Sequence, residues 1–407
     1  MKTLSRSDLV DLSLEITWEK NGIHHSDRYF ADQLNCWRDV FPGSPFEKLF
    51  DHDIEHPVTF QANPGDLVPD HSNDKILRLP LSRVNSDRLK HSIDVGRFYP
   101  QGIISGLTGV FRDTITPFRC IGLSQSIITA DLNHPMAGIP FQLTMEVNKH
   151  SSKANERGGS CMDWIDIALS GPGMQARSNA KATDFFSQHA FHRKDPRPDA
   201  DFYKKDRFVH HIDDQARENL AAIYQSLVRP GDSILDLMAG WESHIPETLE
   251  PLSLHGIGLN ANELANNPAL TSYTVQDLNI NPELAFKDNI FDHAICSLSV
   301  EYLTDPIRIF QEIARVLKPG GAFIVSFSNR WFPEKSIRIW EDLHDFERMG
   351  LVTEYFLLSD RYESISTLSL RGYPRPYDDD YFPKLRLSDP IYTVIGHTRH
   401  YLQRYYR

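Results

Sequence analysis

Residues 233–247 read SILDLMAGWESHIPE. The apolar pair Ile234-Leu235 runs into Asp236, and a turn follows at once. In a parallel α/β sheet this is where the first strand ends and a ligand is held, because ligands sit beyond the carboxyl ends of the strands at the switch point of the sheet. Such a turn usually carries several glycines, which let the backbone approach the ligand closely. Here it consists of Leu237, Met238, Ala239, a single Gly240 and the bulky Trp241. Two outcomes are open: the indole covers a ligand, or it fills the ligand's place.

Outward from this turn, strands and helices alternate. Ile257–Leu259, YTVQD (273–277), HAICSLSV (293–300) and AFIVSFS (322–328) read as strands. HAICSLSV is nearly apolar throughout, as a strand covered by helices on both faces must be. DPIRIFQEIARVLKPGG (305–321) reads as a helix. Asp305 is its N-cap, Pro306 its first residue, and Ile307, Phe310, Ala314 and Leu317 its buried stripe. Lys318-Pro319-Gly320-Gly321 is its stop. The alternation predicts a doubly wound, Rossmann-like α/β domain over residues 207–400. Its topology singles out the turn after Asp236, Asn260 after the second strand, Asp277 after the third, and Ser297 to Tyr302 after the fourth.

The front of the chain follows other rules. In DRYFADQLNCWRDVF (27–41), Phe30, Leu34, Trp37 and Phe41 recur at helical spacing before Pro42-Gly43, so residues 1–44 are expected to be a helical segment. From 45 to 150 short strands lie between turns. In PFQLTMEV (140–147), Phe141, Leu143, Met145 and Val147 alternate with polar residues. KILRLPL (75–81), TPFRCIGL (116–123) and SIITADL (126–132) are similar, and together they predict a small antiparallel β domain of α+β type. Residues 151–206 are rich in Gly, Pro and polar residues and read as an irregular connector.

Composition narrows the function classes. The 407 residues are 40% hydrophobic and 24% charged, as in a soluble globular protein of several domains. No apolar run is long enough to span a membrane. A formal net charge of -12 and the lack of long basic runs argue against nucleic acid as a partner. The four scattered cysteines, Cys36, Cys120, Cys161 and Cys296, fit a reducing, cytoplasmic setting and no zinc site. His24-His25 and His210-His211 are adjacent pairs, whose side chains diverge on a strand, so no metal site is expected.

Four motifs in order, SILDL, VQDLN, FDHAICSLSVEYL and IARVLKPGGAFIVSF, resemble those of class I S-adenosylmethionine-dependent methyltransferases. YESISTLSL (362–370) and PIYTVIGHT (390–398) look like the antiparallel pair that closes that fold. The resemblance implies S-adenosyl-L-methionine as cofactor. It places Asp277 at the adenine amine with the Leu278 N–H beside it, and Asp236, Leu237, Gly240 and Trp241 around the methionyl end. Asn260 stands where the family has a ribose-binding carboxylate, with Asn262 and Glu263 nearby, and Ser297 completes the set. Candidate proton acceptors for catalysis are His244, Glu301 and Tyr302, with Asn329-Arg330-Trp331 after the fifth strand as further candidates. RWFPEKS (330–336) and RGYPRPYDDDYF (371–382) are expected on the side of the acceptor, which is a small molecule or a protein.

A second resemblance runs through GRFYPQG, GLTGVF, ADLNHPMAG and FQLTMEV (96–147), which is similar to the later part of FKBP-type, SlyD-like peptidyl-prolyl isomerases. Asp131, Asn133, His134, Pro135, Ala137 and Gly138 match its loop. The resemblance implies a proline-containing peptide near Phe98, Tyr99, Phe111 and Phe118. It also supplies the alternative overall reading: an isomerase or chaperone-like binding protein joined to a non-catalytic methyltransferase fold.

Overall fold

The computed structural model describes residues 2–89, 92–152, 157–187, 189–246, 248–250 and 253–399. Residues 153–156 of the expected connector and His400 at the end of the expected α/β domain lie outside the described residues. The chain forms two compact units, one of Met1–Phe185 with Leu370–Pro374, the other of Phe186–Ser369 with Arg375–Arg407.

The first unit opens with a long hairpin, β1 (Asp8–Lys20) and β2 (Ile23–Asn35). Asn21 and Gly22 join the strands with φ of 55° and 75°, the positive values that a two-residue hairpin turn of matching twist requires. Next come β3 (Val58–Ala62), β4 (Ile76–Pro80), β5 (Phe98–Pro100), β6 (Pro117–Leu123), β7 (Ile127–Asp131), β8 (Phe141–Ser152) and the short helix α1 (Trp164–Leu169). β2, β1, β8 and β3 make one antiparallel sheet, and β4, β7, β6 and β5 another. Val10, Leu12, Leu14, Ile16 and Trp18 alternate into a core shared with Leu143, Met145 and Trp164.

The helix expected over 27–41 is therefore a correction: most of it is strand. The inward residues of β2 alternate at period two, but two of them, His25 and Asp27, are polar and hide the pattern. Asp27 is buried against Arg371, whose Nε and Nη2 donate to its two oxygens at 2.9 Å. Trp37 and Phe41, two of the four residues at helical spacing, are 49% and 39% exposed, so the four do not form one packing face. β1 and β2 thus complete the sheet of β3 and β8, and residues 2–44 are not a separate helical segment.

The FKBP-like stretch is divided between the two sheets, β5 to β7 in one and β8 in the other. Phe98, Tyr99 and Phe118 are buried while Phe111 is 77% exposed, so the four aromatics do not form one lining. The matching loop holds its own backbone: Asn133 Nδ2 donates to Asp131 Oδ1 at 2.8 Å and to the Ser72 carbonyl at 3.0 Å, and His134 Nδ1 accepts from the Met136 N–H at 3.1 Å.

The second unit contains α2 (Asp199–Phe202), α3 (Asp214–Leu227), β9 (Ser233–Leu237), β10 (Ser253–Gly258), α4 (Ala261–Ala265), β11 (Ser272–Val275), β12 (Phe291–Ser297), α5 (Pro306–Val316), β13 (Leu317–Phe327), α6 (Asp345–Ser359), β14 (Tyr362–Arg371) and β15 (Ile391–Thr398). The sheet order is β11-β10-β9-β12-β13-β15-β14. The first five strands are parallel, and β15 runs antiparallel to β13. The doubly wound domain is as expected, with β15 and β14 closing the sheet beyond β13, and its switch point lies between β9 and β12. In α5, Asp305 caps the Arg308 N–H as expected, but the buried stripe is Ile309, Phe310, Ile313 and Val316. Lys318 to Gly321 are already the first residues of β13, so the helix passes into the strand with no free turn between them.

Candidate active site

A cavity of about 780 Å³ opens at the carboxyl ends of β9, β10 and β12 and beyond β11. That is within the range of small-molecule sites and at the place that the switch point dictates. Met238 to Glu242, Gly258 to Asn260, Gln276 to Asn279 and Ser297 to Ser299 line its base. Asp199, Tyr203, residues 209–214, Arg330 to Phe332 and the 375–381 loop complete its walls.

The first turn is folded hard against β10. The Ala239 N–H donates to the Ile257 carbonyl at 2.7 Å, and a Cβ on Gly258 would collide with the Ala239 carbonyl oxygen. Gly258 is thus the glycine this crossover needs, and a glycine at a strand end was the sequence signal for it. Met238 takes φ of 55°, a left-handed conformation that favours glycine and costs a side-chain-bearing residue about 1–2 kcal/mol. Asp236 is 2% exposed with no partner for Oδ2. Burial raises its carboxyl to about 7, against a hydrogen bond from Ser243. Leu237, expected at the cofactor, is buried within β9 and does not line the cavity.

Trp241 leaves the cavity open. Its Nε1 donates to the Val209 carbonyl at 3.1 Å, and its ring lies 4.8 Å from that of His210. His210 Nδ1 meets Glu242 Oε2 at 2.9 Å, and Arg217 on α3 holds Glu242 through Nη2 and Nε at 2.5 and 3.0 Å. The indole thus fastens the segment before α3 to the first turn.

Asn260 does not present a free amide to a ribose. Its Oδ1 caps α4, accepting from the N–H groups of Asn262 and Glu263 at 2.9 and 3.1 Å. Its Nδ2 donates to the Tyr203 carbonyl at 3.1 Å and to Asp206 Oδ1 at 2.9 Å. Glu263 is the carboxylate on this wall: Oε1 accepts from the Arg207 N–H at 2.7 Å, and burial raises its pKa. Asp277 and Leu278 line the cavity as expected, with Asp277 Oδ1 accepting from the Asn279 N–H at 2.9 Å. Sequence reasoning missed Asn279, which ties the site together by donating to Asp199 Oδ2 and the Tyr302 carbonyl, both at 2.9 Å.

The three candidate proton acceptors separate. His244 lines the cavity, and burial lowers its imidazole to about 4, so it is neutral at neutral pH. Its Nδ1 is buried 3.6 Å from Glu242 Oε1. Tyr302 also lines the cavity, but its hydroxyl accepts from the Phe332 N–H at 2.9 Å, and burial with the nearby Glu301 raises its pKa far above the usual range. Glu301 is 1% exposed and lies behind the wall; burial lifts its carboxyl to about 7. Its direct contact with an acceptor is therefore set aside. Ser297 lines the cavity with Oγ 2.6 Å from the Tyr224 hydroxyl.

On the far wall Arg375 is buried among three carboxylates, reaching Asp389 at 2.6 Å, Asp379 at 3.0 Å and Asp213 at 3.4 Å. Arg330 joins them through Asp389 at 3.1 Å. Arg330, Arg375 and Asp379 lie in the two stretches expected on the acceptor side, whereas Asp213 and Asp389 had no sequence signal.

Residues 253–325 match the family model described as a methyltransferase domain. Over 160 residues the chain is 26% identical to the ubiquinone/menaquinone biosynthesis C-methyltransferase UbiE of Laribacter hongkongensis, covering 36% of this chain and 63% of that protein. Over 118 residues it is 25% identical to phosphoethanolamine N-methyltransferase 2 of Caenorhabditis elegans, covering 26% of each. The chain spans less than two thirds of the length of these relatives. An S-adenosylmethionine dependent methyltransferase from Mesorhizobium loti overlaps with a TM-score of 0.30 at 18% identity, covering 43% of this chain and 95% of that one. Within the C-terminal half, residues 253–325 thus match a methyltransferase domain, which implies S-adenosylmethionine as the cofactor. These matches lend the isomerase-like reading of residues 96–147 no support.

Proposed function

We propose that the second unit transfers a methyl group from S-adenosylmethionine to an acceptor held against Arg330 to Phe332 and the 375–381 loop. The observation that carries this reading is the open cavity at the switch point, with Asp236, Glu263 and Asp277 among its lining carboxylates. The residues present fit the group. Asp277 and Glu263 offer oxygens to an adenine amine and to ribose hydroxyls. Asp236 offers a buried acceptor, Oδ2, without a partner of its own, and Gly258 lets the first turn pack close to the sheet.

When bound, the cofactor supplies an electrophilic methyl group on a sulfonium. Methyl transfer depends mostly on positioning and on excluding water. Trp241, Tyr302, Trp331 and Phe332 provide apolar walls for that purpose. His244, neutral and beside Glu242, is the group able to take a proton from an acceptor. Glu301 supports Tyr302 from behind and is a positioning residue in this scheme.

Calorimetric titration with S-adenosylmethionine tests the reading. Wild-type protein should bind, and Asp277→Ala should bind at least about tenfold more weakly, the loss of one charge-assisted hydrogen bond. No binding by folded wild-type protein, or equal binding by the variant, would overturn it.

A further inference from the structure

The first turn carries His244 in an unusual conformation. Its φ of 56° lies in the left-handed region that a residue with a side chain rarely adopts. Such outliers persist only where their surroundings over-determine them, and they gather at functional sites. On one side Asn267 braces the turn, its Nδ2 donating to the Gly240 carbonyl and to Ser243 Oγ, both at 2.9 Å. On the other stands Glu242, which Arg217 and His210 hold from two further segments. Braced from both sides, the turn fixes the direction of the His244 ring.

The two ring nitrogens meet different surroundings. Nδ1 is buried without a hydrogen-bond partner, and Glu242 Oε1 lies 3.6 Å from it, just outside bonding reach. The ring lines the cavity, so Nε2 is the nitrogen left for a ligand. Burial pushes the Glu242 carboxyl up, but the hydrogen bonds from Arg217 win and hold it below its usual range, as a carboxylate. A carboxylate beside one ring nitrogen draws the ring proton there and leaves a lone pair on the other. Burial opposes a positive charge on His244, as do Arg217, His210 and His211; of the groups facing the ring, Glu242 favours it.

Resting on the methyl-transfer reading, we propose that Glu242 is a positioning residue: by closing on Nδ1 of His244 it sets the tautomer that leaves Nε2 to take the acceptor's proton. As the acceptor atom bonds to the methyl carbon, the electron pair of the broken carbon–sulfur bond stays on sulfur. The acceptor's proton passes to Nε2, and Glu242 balances the imidazolium so formed. Arg217 and His210 act one step further out, keeping the carboxylate in place.

The test reads the ring in the full chain, grown with isotopically labelled histidine and saturated with S-adenosylhomocysteine at neutral pH. Long-range proton–nitrogen correlation spectra separate the two neutral tautomers, and His244→Gln identifies the His244 signals by their loss. In wild type the proton should sit on Nδ1. The ratio of Nδ1- to Nε2-protonated rings should fall at least about tenfold in Glu242→Ala, the loss of one charge-assisted hydrogen bond. Glu242→Gln, which keeps an acceptor oxygen, should lose less. A merely structural contact would leave a second readout unmoved: acylation of His244 by diethyl pyrocarbonate, read by mass spectrometry, should slow about threefold or more in Glu242→Gln, because it follows the basicity of Nε2. A proton on Nε2 in wild type, a ratio unmoved in Glu242→Ala, or equal acylation rates would each overturn the proposal. Should the alanine variant not fold, the wild-type spectrum and the glutamine variant still decide. Failure of folded wild-type protein to bind S-adenosylhomocysteine, beside the expected tautomer, would instead bring down the methyl-transfer reading, so the two failures are distinct.

Discussion

The carbonyl oxygen of Ala239 occupies the space that a side chain on Gly258 would need, while the Ala239 N–H donates to Ile257, the residue before that glycine. The first turn and the end of β10 are therefore one packed element. Gly258→Ala must push the turn off the strand, at an overpacking cost of about 1–3 kcal/mol. Chemical denaturation should show that loss, and cofactor titration should show a larger one, because the displaced turn forms the floor of the cavity. A variant with wild-type stability and affinity would mean the contact is loose.

Met238 makes the same turn difficult in another way. At φ of 55° a β-branched residue fits worst, so Met238→Val should cost about 1–2 kcal/mol. Met238→Gly relieves the strain but loosens the unfolded chain, and the two effects should cancel to within about 0.5 kcal/mol. Urea unfolding of both variants decides this. If valine is as stable as glycine, the left-handed conformation is not held in solution.

Much of the second unit was legible because its signals are local. The Asp305-Pro306 start of α5 and the apolar runs of β12 and β13 are written within a few residues each. Asp277 was legible from its place after a strand. In the first unit, Asn21-Gly22 is an equally local hairpin signal, but the helical spacing of Phe30, Leu34, Trp37 and Phe41 points to a helix instead. The inward Asp27 explains why: its partner, Arg371, is 344 positions away, so no window of sequence could show that a charge belonged inside. On the far wall of the cavity, the 330–336 and 371–382 stretches were legible, but the carboxylates that join them to α3 were hidden for the same reason. Asp213 and Asp389, which bond each other's backbone N–H groups, are 176 positions apart, and Asp199 and Tyr203 come from a stretch whose composition reads as connector.

Asn260 and Glu263 sit three residues apart and should fail differently. Asn260→Ala removes the cap of α4, so stability should fall by about 1 kcal/mol, with a smaller effect on cofactor affinity. Glu263→Gln keeps the shape and removes the charge; affinity for S-adenosylmethionine should drop several-fold while stability barely moves. The assignment of Glu263 to the cofactor fails if its variant binds normally.

The buried Asp236 makes stability depend on pH. Its carboxyl is raised to about 7 in the folded chain by burial, above its ordinary unfolded value. The folded state therefore holds the proton more tightly, and the stabilisation, complete below about pH 4, is lost as pH rises through 7, at no more than about 1.4 kcal/mol per pH unit. Glu301 contributes in the same direction, since burial also raises it to about 7. Asp236→Asn should flatten part of the decline between pH 5 and 8 in urea titrations. A cationic cofactor favours the carboxylate, so its affinity should rise over the same interval in wild type and not in the variant. A pH slope unchanged by the substitution would show that Asp236 is already ionised.

Trp241 offers the sharpest contrast, because plugging and fastening predict opposite signs. Were the indole a plug, Trp241→Ala would enlarge the site and tighten cofactor binding. In the structure the ring instead lies beside His210 and donates to the Val209 carbonyl, on a segment that also supplies His211, Ile212 and Asp213 to the cavity wall. Releasing it removes a hydrogen bond and an aromatic contact, together about 1–3 kcal/mol of ordering for residues 208–213. Affinity for S-adenosylmethionine should therefore fall by about tenfold or more, and proteolysis near residue 209 should quicken. Trp241→Phe, which keeps the ring but not the N–H, should lie between. Tighter binding by the alanine variant would reverse the assignment of this residue.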